Sequence, residues 1–219
     1  MLELAARLWM AGMLREGMAH LVKDELFLFT VVKKVVGERV FLRLIMDHRR
    51  GNLRWRRSPW VPMAGPESIT GLDFSALLGA GYAFDAASGD IPNYFYSLLL
   101  PEPFSRFFVL KLIRTEDLRR KLIELGWKGT LPQPQLGDRL GLAVLAMGWR
   151  WAVFLAQLSL LAIMVRGLPT GSRHRILIQG TRRPVLRPQP GLTWVAWGYV
   201  DDFGIFGGRH LSLPLGTGE

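Results

Sequence analysis

A chain of 219 residues is long enough to form one large domain or two small ones around a sizeable buried core. It has no cysteine, which excludes a disulfide framework and any thiolate metal site. Its net charge of +10 is clustered. Lys33 to Arg57 carries nine Lys and Arg against Glu38 and Asp47, and Arg166 to Arg187 carries six Arg and no acid; net charges of +7 and +6 leave −3 for the rest. Such clustering favours a polyanion, nucleic acid or anionic membrane, over a generally basic solubilising surface; two solvated basic loops are the alternative.

In chain order, "MLELAARLWMAGMLREGMAH" predicts an amphipathic helix over Leu2 to Leu21. It lacks the basic start, apolar run and small-residue cleavage site of a secretory signal, so an intracellular location is expected. "FLFTVVKK" and "RVFLRLIMD" flank Gly37 and predict a β-hairpin with a basic tip. "GPESITGLDFSALLGAG" predicts a helix, and "SGDIPNYFYSLLLP" a strand end running into a short helical or turn segment. "FFVLKLI" reads as a strand. "TEDLRRKLIELGWKG" reads as a helix with Thr115 as N-cap, Glu116 and Asp117 in its first turn and Gly126 as its stop. "LPQPQLG" and "RRPVLRPQPG" are loops, and "GLAVLAMG" is a strand entering an apolar helix. That helix, "WAVFLAQLSLLAIMV", would be about 22 Å long against a hydrocarbon core of about 30 Å. Arg150 and Arg166 flank it and Gln157 and Ser159 lie within it, so it is expected to be buried in protein rather than to span a membrane. There is no internal repeat, and strands do not alternate regularly with helices. The predicted fold class is α+β.

The segment "WVAWGYVDDFGIFGG" sets Asp201 and Asp202 between two β-rich runs. A hairpin with a two-residue acidic turn would project both carboxylates from its tip. That arrangement suits a hard divalent cation; equally, Asp-Asp is a turn-forming pair.

"YVDD", Tyr199 to Asp202, resembles the catalytic signature of the reverse transcriptases. Three further segments match that family's motifs in its order. "DIPNYFYSLLLP" has Asp90 followed five residues later by Phe95; five residues beyond the rival Asp85 stands Asp90, which is not aromatic. "LAMGWRWAVFLAQ" has Met147, Gly148 and Gln157 at matching spacing. "RLIMDHRRGN" has Arg43, Asp47, Arg49 and Asn52, with Lys33 and Lys34 on the preceding strand. The match spans residues 26–207.

The resemblance implies a right-hand polymerase of fingers and palm, with an antiparallel palm sheet backed by helices. Residues 1–78 and 114–146 would be fingers, and residues 79–113 and 147–219 palm. It implies an RNA-directed DNA polymerase that adds deoxynucleotides to a primer 3′-hydroxyl on an RNA or DNA template. Asp90, Asp201 and Asp202 would be catalytic. With the Ile91 carbonyl they would hold two Mg2+ ions, or Mn2+ in their place. Lys33, Lys34 and Arg43 would neutralise the triphosphate, Phe95 would exclude a ribose 2′-hydroxyl, and Met147 and Gly148 would lie beside the nucleotide. No membrane partner is expected.

The residues themselves leave other readings open. Phe95 could be core beside Tyr94 and Tyr96, Arg43 and Asp47 an ion pair across a strand, Lys33 and Lys34 a solvated hairpin tip, and Met147 ordinary packing. His20, His48, His174 and His210 have no ligand spacing. Ala146 stands where the family often has Pro, and Met147 where its retroviral members have Gln. Only 17 residues follow Asp202, too few for the family's primer-gripping hairpin and helical thumb, so weak duplex binding and low processivity are expected. A catalytically inactive relic that binds nucleic acid is the alternative function.

Overall fold

The computed structural model describes residues 1–212. The first helix, α1 (Leu2–Met10), buries Ala5, Ala6 and Leu8 and stops well short of Leu21. Gly12 lies in the left-handed region at φ +70°, and the adjoining "LREG" is extended as β1 (Leu14–Gly17). Helical periodicity persists through this stretch, but the glycine breaks the helix and pairing with a distant strand captures Leu14 to Gly17. Next come β2 (Glu25–Val36) and β3 (Arg39–Asp47), the expected hairpin about Gly37. The segment from Gly65 to Gly81 forms two short helices rather than one, α3 (Pro66–Thr70) and α4 (Ser75–Gly79), after a single turn α2 (Arg49–Asn52). Asp73 divides the pair, its Oδ1 accepting the Ser75 N–H at 2.9 Å.

β4 (Tyr82–Asp90) leads to the short helices α5 (Tyr94–Ser97) and α6 (Glu102–Ser105). β5 (Val109–Arg114) runs directly into α7 (Thr115–Glu124). Thr115 is the first helical residue rather than the cap; it is fully buried and its hydroxyl donates to the Arg139 carbonyl at 3.2 Å, so a tertiary contact takes the group a cap would have used. β6 (Arg139–Leu142) is shorter than the predicted strand, and Ala143 to Trp151 is irregular before α8 (Ala152–Gly167). β7 (Ile176–Leu177), β8 (Trp194–Tyr199) and β9 (Asp202–His210) complete the order. No helix among the described residues is long and apolar enough to cross a membrane.

The fold is α+β with two mixed sheets, partitioned into two compact units. Met1–Ser58 with Asn93–Ala152 forms the first and Pro59–Pro92 with Val153–Glu219 the second. In the first, the strand order is β1-β6-β5-β2-β3, with β2 and β5 parallel and the other pairs antiparallel. Leu26, Leu28 and Met46 face its core with Phe108, Leu110, Leu118, Leu122 and Leu140. In the second, the order is β4-β9-β8-β7. The sheet expected to be antiparallel is antiparallel only over β4, β9 and β8; β7 adds a parallel edge. Val195 packs with Leu77, Leu177, Leu186 and Ala64 on one face, while α8 lies against Gly198, where a Cβ would stand 2.7 Å from the Met164 sulfur. The missing side chain is what lets helix and strand approach this closely.

Candidate active site

The three aspartates predicted to be catalytic all belong to the second unit, and its sheet brings them together. Asp90, the last residue of β4, is the direct antiparallel partner of Asp202, the first residue of β9, which is in turn paired with Tyr199 at the end of β8. Directly opposed residues point to the same face, with Cβ atoms about 4.5–5.5 Å apart. The turn is Val200–Asp201, one residue earlier than the acidic tip the sequence suggests: Asp201 sits in the turn and Asp202 in the strand. The displacement puts one carboxylate at the tip and the other in register with Asp90. The Ile91 N–H donates to the Asp201 carbonyl at 2.9 Å, fastening the end of β4 to the turn. Asp90 and Asp202 are exposed and Asp201 half-buried, so carboxylate oxygens are open to a ligand.

The turn is held under strain. Val200 has φ +60°, a region β-branched residues rarely enter. Such a conformation costs about 1–3 kcal/mol and persists only where neighbouring structure imposes it. Here the imposing group is Gln157 of α8, which is fully buried. Its Oε1 accepts the Val200 N–H at 2.7 Å, and its Nε2 donates to the Gly198 and Pro62 carbonyls, each at 3.1 Å. A single amide therefore holds the side of the turn where β8 enters it.

The donor set is all oxygen, which fits a hard cation such as Mg2+ and not a soft one. No cluster of three or more His, Cys, Asp or Glu converges for a metal among the described residues. A closed protein cage is not what Mg2+ needs, since it takes one or two carboxylates and completes its shell with water and substrate phosphate. The opposed Asp90 and Asp202 meet that requirement.

The residues predicted to bind nucleotide lie in the first unit. Lys33 and Lys34 are exposed on β2, where the register slips by one residue between Val32 and Lys34, leaving Lys33 as the extra residue of a bulge. The Lys34 ammonium lies 5.0 Å from the centre of the Phe41 ring. Arg43 is exposed and pairs by register with Val31. Its charge offsets part of the upward pull that burial exerts on the Tyr96 hydroxyl. Arg43 has no bond to Asp47, which instead receives two bonds from the Arg49 guanidinium, at 2.9 and 2.7 Å. Those bonds and the Arg49 N–H hold the Asp47 carboxyl at a pKa of about 2. Phe95 is 8% exposed and Tyr94 3%, so both belong to the core of this unit. Met147 is exposed.

Gly148 has φ +103°, and a Cβ there would stand 3.0 Å from the Met46 carbonyl, so β3 is what its backbone approaches. Asn52 secures this contact: its amide donates to the Gly148 carbonyl and accepts the Arg150 N–H, both at 2.8 Å. Asn52 and Gln157 match motif positions, but their work, pinning one motif's backbone to another, shows only in three dimensions. No family model matches this chain, and no curated protein matches it as a relative.

Proposed function

We propose that this chain is an RNA-directed DNA polymerase of the reverse-transcriptase type, extending a primer on an RNA or DNA template. The observation that carries the reading is the register that sets Asp90 opposite Asp202 with Asp201 in the adjoining strained turn. Two carboxylates from neighbouring strands and a third from the turn are what a two-cation phosphoryl-transfer site requires of a protein. Asp90, Asp201 and Asp202, with the Ile91 carbonyl, would hold Mg2+. Bound there, the cations would supply charge stabilisation at the attacking and leaving oxygens.

In the reaction the primer 3′-hydroxyl gives up its proton to solvent as O3′ bonds to the α-phosphorus, the bond from that phosphorus to the bridging oxygen breaks with its electron pair going to that oxygen, and pyrophosphate leaves. The chain's own task is positioning. Gln157 and the Ile91 N–H keep the turn fixed, so the carboxylates need not reorganise as charge develops. Lys33, Lys34 and Arg43 are assigned to the triphosphate and Met147 and Gly148 to the nucleotide by resemblance. For Phe95, burial supports a packing role as much as a sugar-excluding one.

Primer extension on an RNA template with deoxynucleotides and Mg2+ or Mn2+ tests the proposal, with Asp201→Asn/Asp202→Asn alongside. Even one or two added nucleotides, abolished in the variant, support it. No incorporation by either protein in both metals would favour the inactive nucleic-acid-binding relic.

A further inference from the structure

The arginine-rich stretch C-terminal to α8 is not used by the site above. Of its five arginines, from Arg173 to Arg187, Arg175 is buried, 2% exposed, and acts as a structural pin. Its guanidinium donates to the carbonyls of Trp194, Val185 and Leu192, at 2.9 Å from Nε to Trp194, 2.9 Å to Val185 and 3.1 Å to Leu192. This ties the one-turn segment Ser172–Arg175 to the loop that enters β8. Arg173 is two residues before Arg175, Arg183 two before Val185 and Arg187 two after it. Each therefore leaves the backbone within about 7 Å of one of the two joined residues, Arg175 or Val185. Arg173, Arg182, Arg183 and Arg187 are all exposed.

Arg183 is held by a 2.9 Å bond to the Glu67 carbonyl. Arg182 and Arg183 line an open groove of about 720 Å³ with Glu67, Ser68, Gln179 and Thr181. Glu67 is the acid lining this groove, and its carboxylate accepts a 3.4 Å bond from Gln179. Among the described residues, the guanidinium groups of Arg173, Arg182 and Arg187 have no carboxylate partner.

We infer that this pinned arginine cluster of the second unit is a binding surface for the phosphodiester backbone of duplex nucleic acid. Four exposed guanidinium groups, three of them without a carboxylate partner among the described residues, leave a positive excess on a loop whose backbone is fixed from within, so little ordering is needed on binding. Guanidinium matches phosphate in charge and in fork geometry. Arg166 to Arg187 contains no Phe, Tyr or Trp, so the surface lacks the stacking rings by which single strands are held. Contact with the backbone alone is left, which positions a duplex without reading its sequence. The inference rests on the polymerase reading only for the choice of nucleic acid as the polyanion.

The test is fluorescence anisotropy with a labelled DNA duplex of about 20 base pairs, in EDTA and without nucleotides, over a series of KCl concentrations. Arg173→Gln/Arg182→Gln/Arg187→Gln is compared with wild type and with the charge-matched Arg114→Gln/Arg120→Gln/Lys128→Gln in the first unit. Each lost phosphate contact lowers the slope of log K against log salt by about 0.9, so the first triple variant should be shallower by about 2–3. It should also bind at least about tenfold more weakly near 0.1 M salt. Arg175 and Arg183 are retained so that the loop stays pinned. A wild-type slope, or an equal loss in the first-unit variant, would overturn the assignment. So would unchanged duplex binding with lost binding to phosphatidylserine vesicles, which would make the surface a membrane contact. Asp201→Asn/Asp202→Asn should bind the duplex as wild type does, so failure of the catalytic reading and failure of this one are distinguishable.

Discussion

Replacing Gln157 with Leu tests whether one buried amide holds the Val200–Asp201 turn. The substitution keeps the volume and removes three hydrogen bonds. The Gly198 carbonyl keeps a second donor, the Ala64 N–H at 3.3 Å, so its loss is small. The Val200 N–H has no such reserve, and the residue is 9% exposed. A buried group left without a partner costs about 1–3 kcal/mol, and the Pro62 carbonyl adds a smaller amount. The expected loss is about 2–4 kcal/mol, a large part of a typical folding free energy of about 5–15 kcal/mol.

Urea unfolding of the full chain measures it, as a lower midpoint at unchanged slope. Gln157→Glu supplies a second reading. Its carboxylate can accept from Val200 but faces two carbonyls, and burial raises its pKa above the ordinary carboxylate value. The unfolded chain then ionises first as pH rises, so this variant should be nearer wild type in acid and lose stability towards neutral pH. A Leu variant within about 1 kcal/mol of wild type, with the Glu variant insensitive to pH, would refute the role given to Gln157.

Two further outcomes concern the first unit. Gly148→Ala should lower stability by about 1–3 kcal/mol, because the backbone is left-handed and the new Cβ would press on the Met46 carbonyl; urea unfolding reads it, and a neutral result would remove the constraint claimed there. His48 is 2% exposed against the Phe108 ring, and burial lowers its pKa despite the opposing charges of Asp24 and Asp47. Below the ordinary His value of about 6.5 the unfolded chain takes the proton first, so its contribution is complete above that pH and declines as pH falls below it. His48→Phe should flatten the stability difference between pH 7.5 and 5.5, and an undiminished difference would place its source elsewhere.

How much of the fold and site is legible in the sequence depends on how local each cause is. The β2–β3 and β8–β9 hairpins are legible, because period-two patterning and a turn signal lie within about 20 residues. The end of α1 is not, since "LREG" becomes a strand only through its pairing with Leu142 to Arg139. The turn at Asp201 reads one residue late because nothing in a Val predicts positive φ; the reason is Gln157, 43 residues away. Asn52 grips residues 96 and 98 positions away, a distance at which spacing carries no information about who bonds to whom. Motif spacing singles out Asp90, Asp201, Asp202 and Gln157 alike, but it does not show the bond by which Gln157 holds the turn.

The chain passes between its two units three times, after Ser58, Pro92 and Ala152. During synthesis, β2 and β3 emerge early but β6, which closes the first sheet by joining β1 to β5, is made only when Arg139 to Leu142 leaves the ribosome. At about 5–20 residues per second, the early strands wait several seconds or more with their apolar edges open. Neither unit exists as a contiguous stretch that could be expressed alone, and dissection into single modules would require a circular permutation or a designed linker across the excised segment. The same interleaving gives the protein many sequence-distant contacts, so slow folding and a need for protection against early association are consequences of its connectivity rather than of its composition.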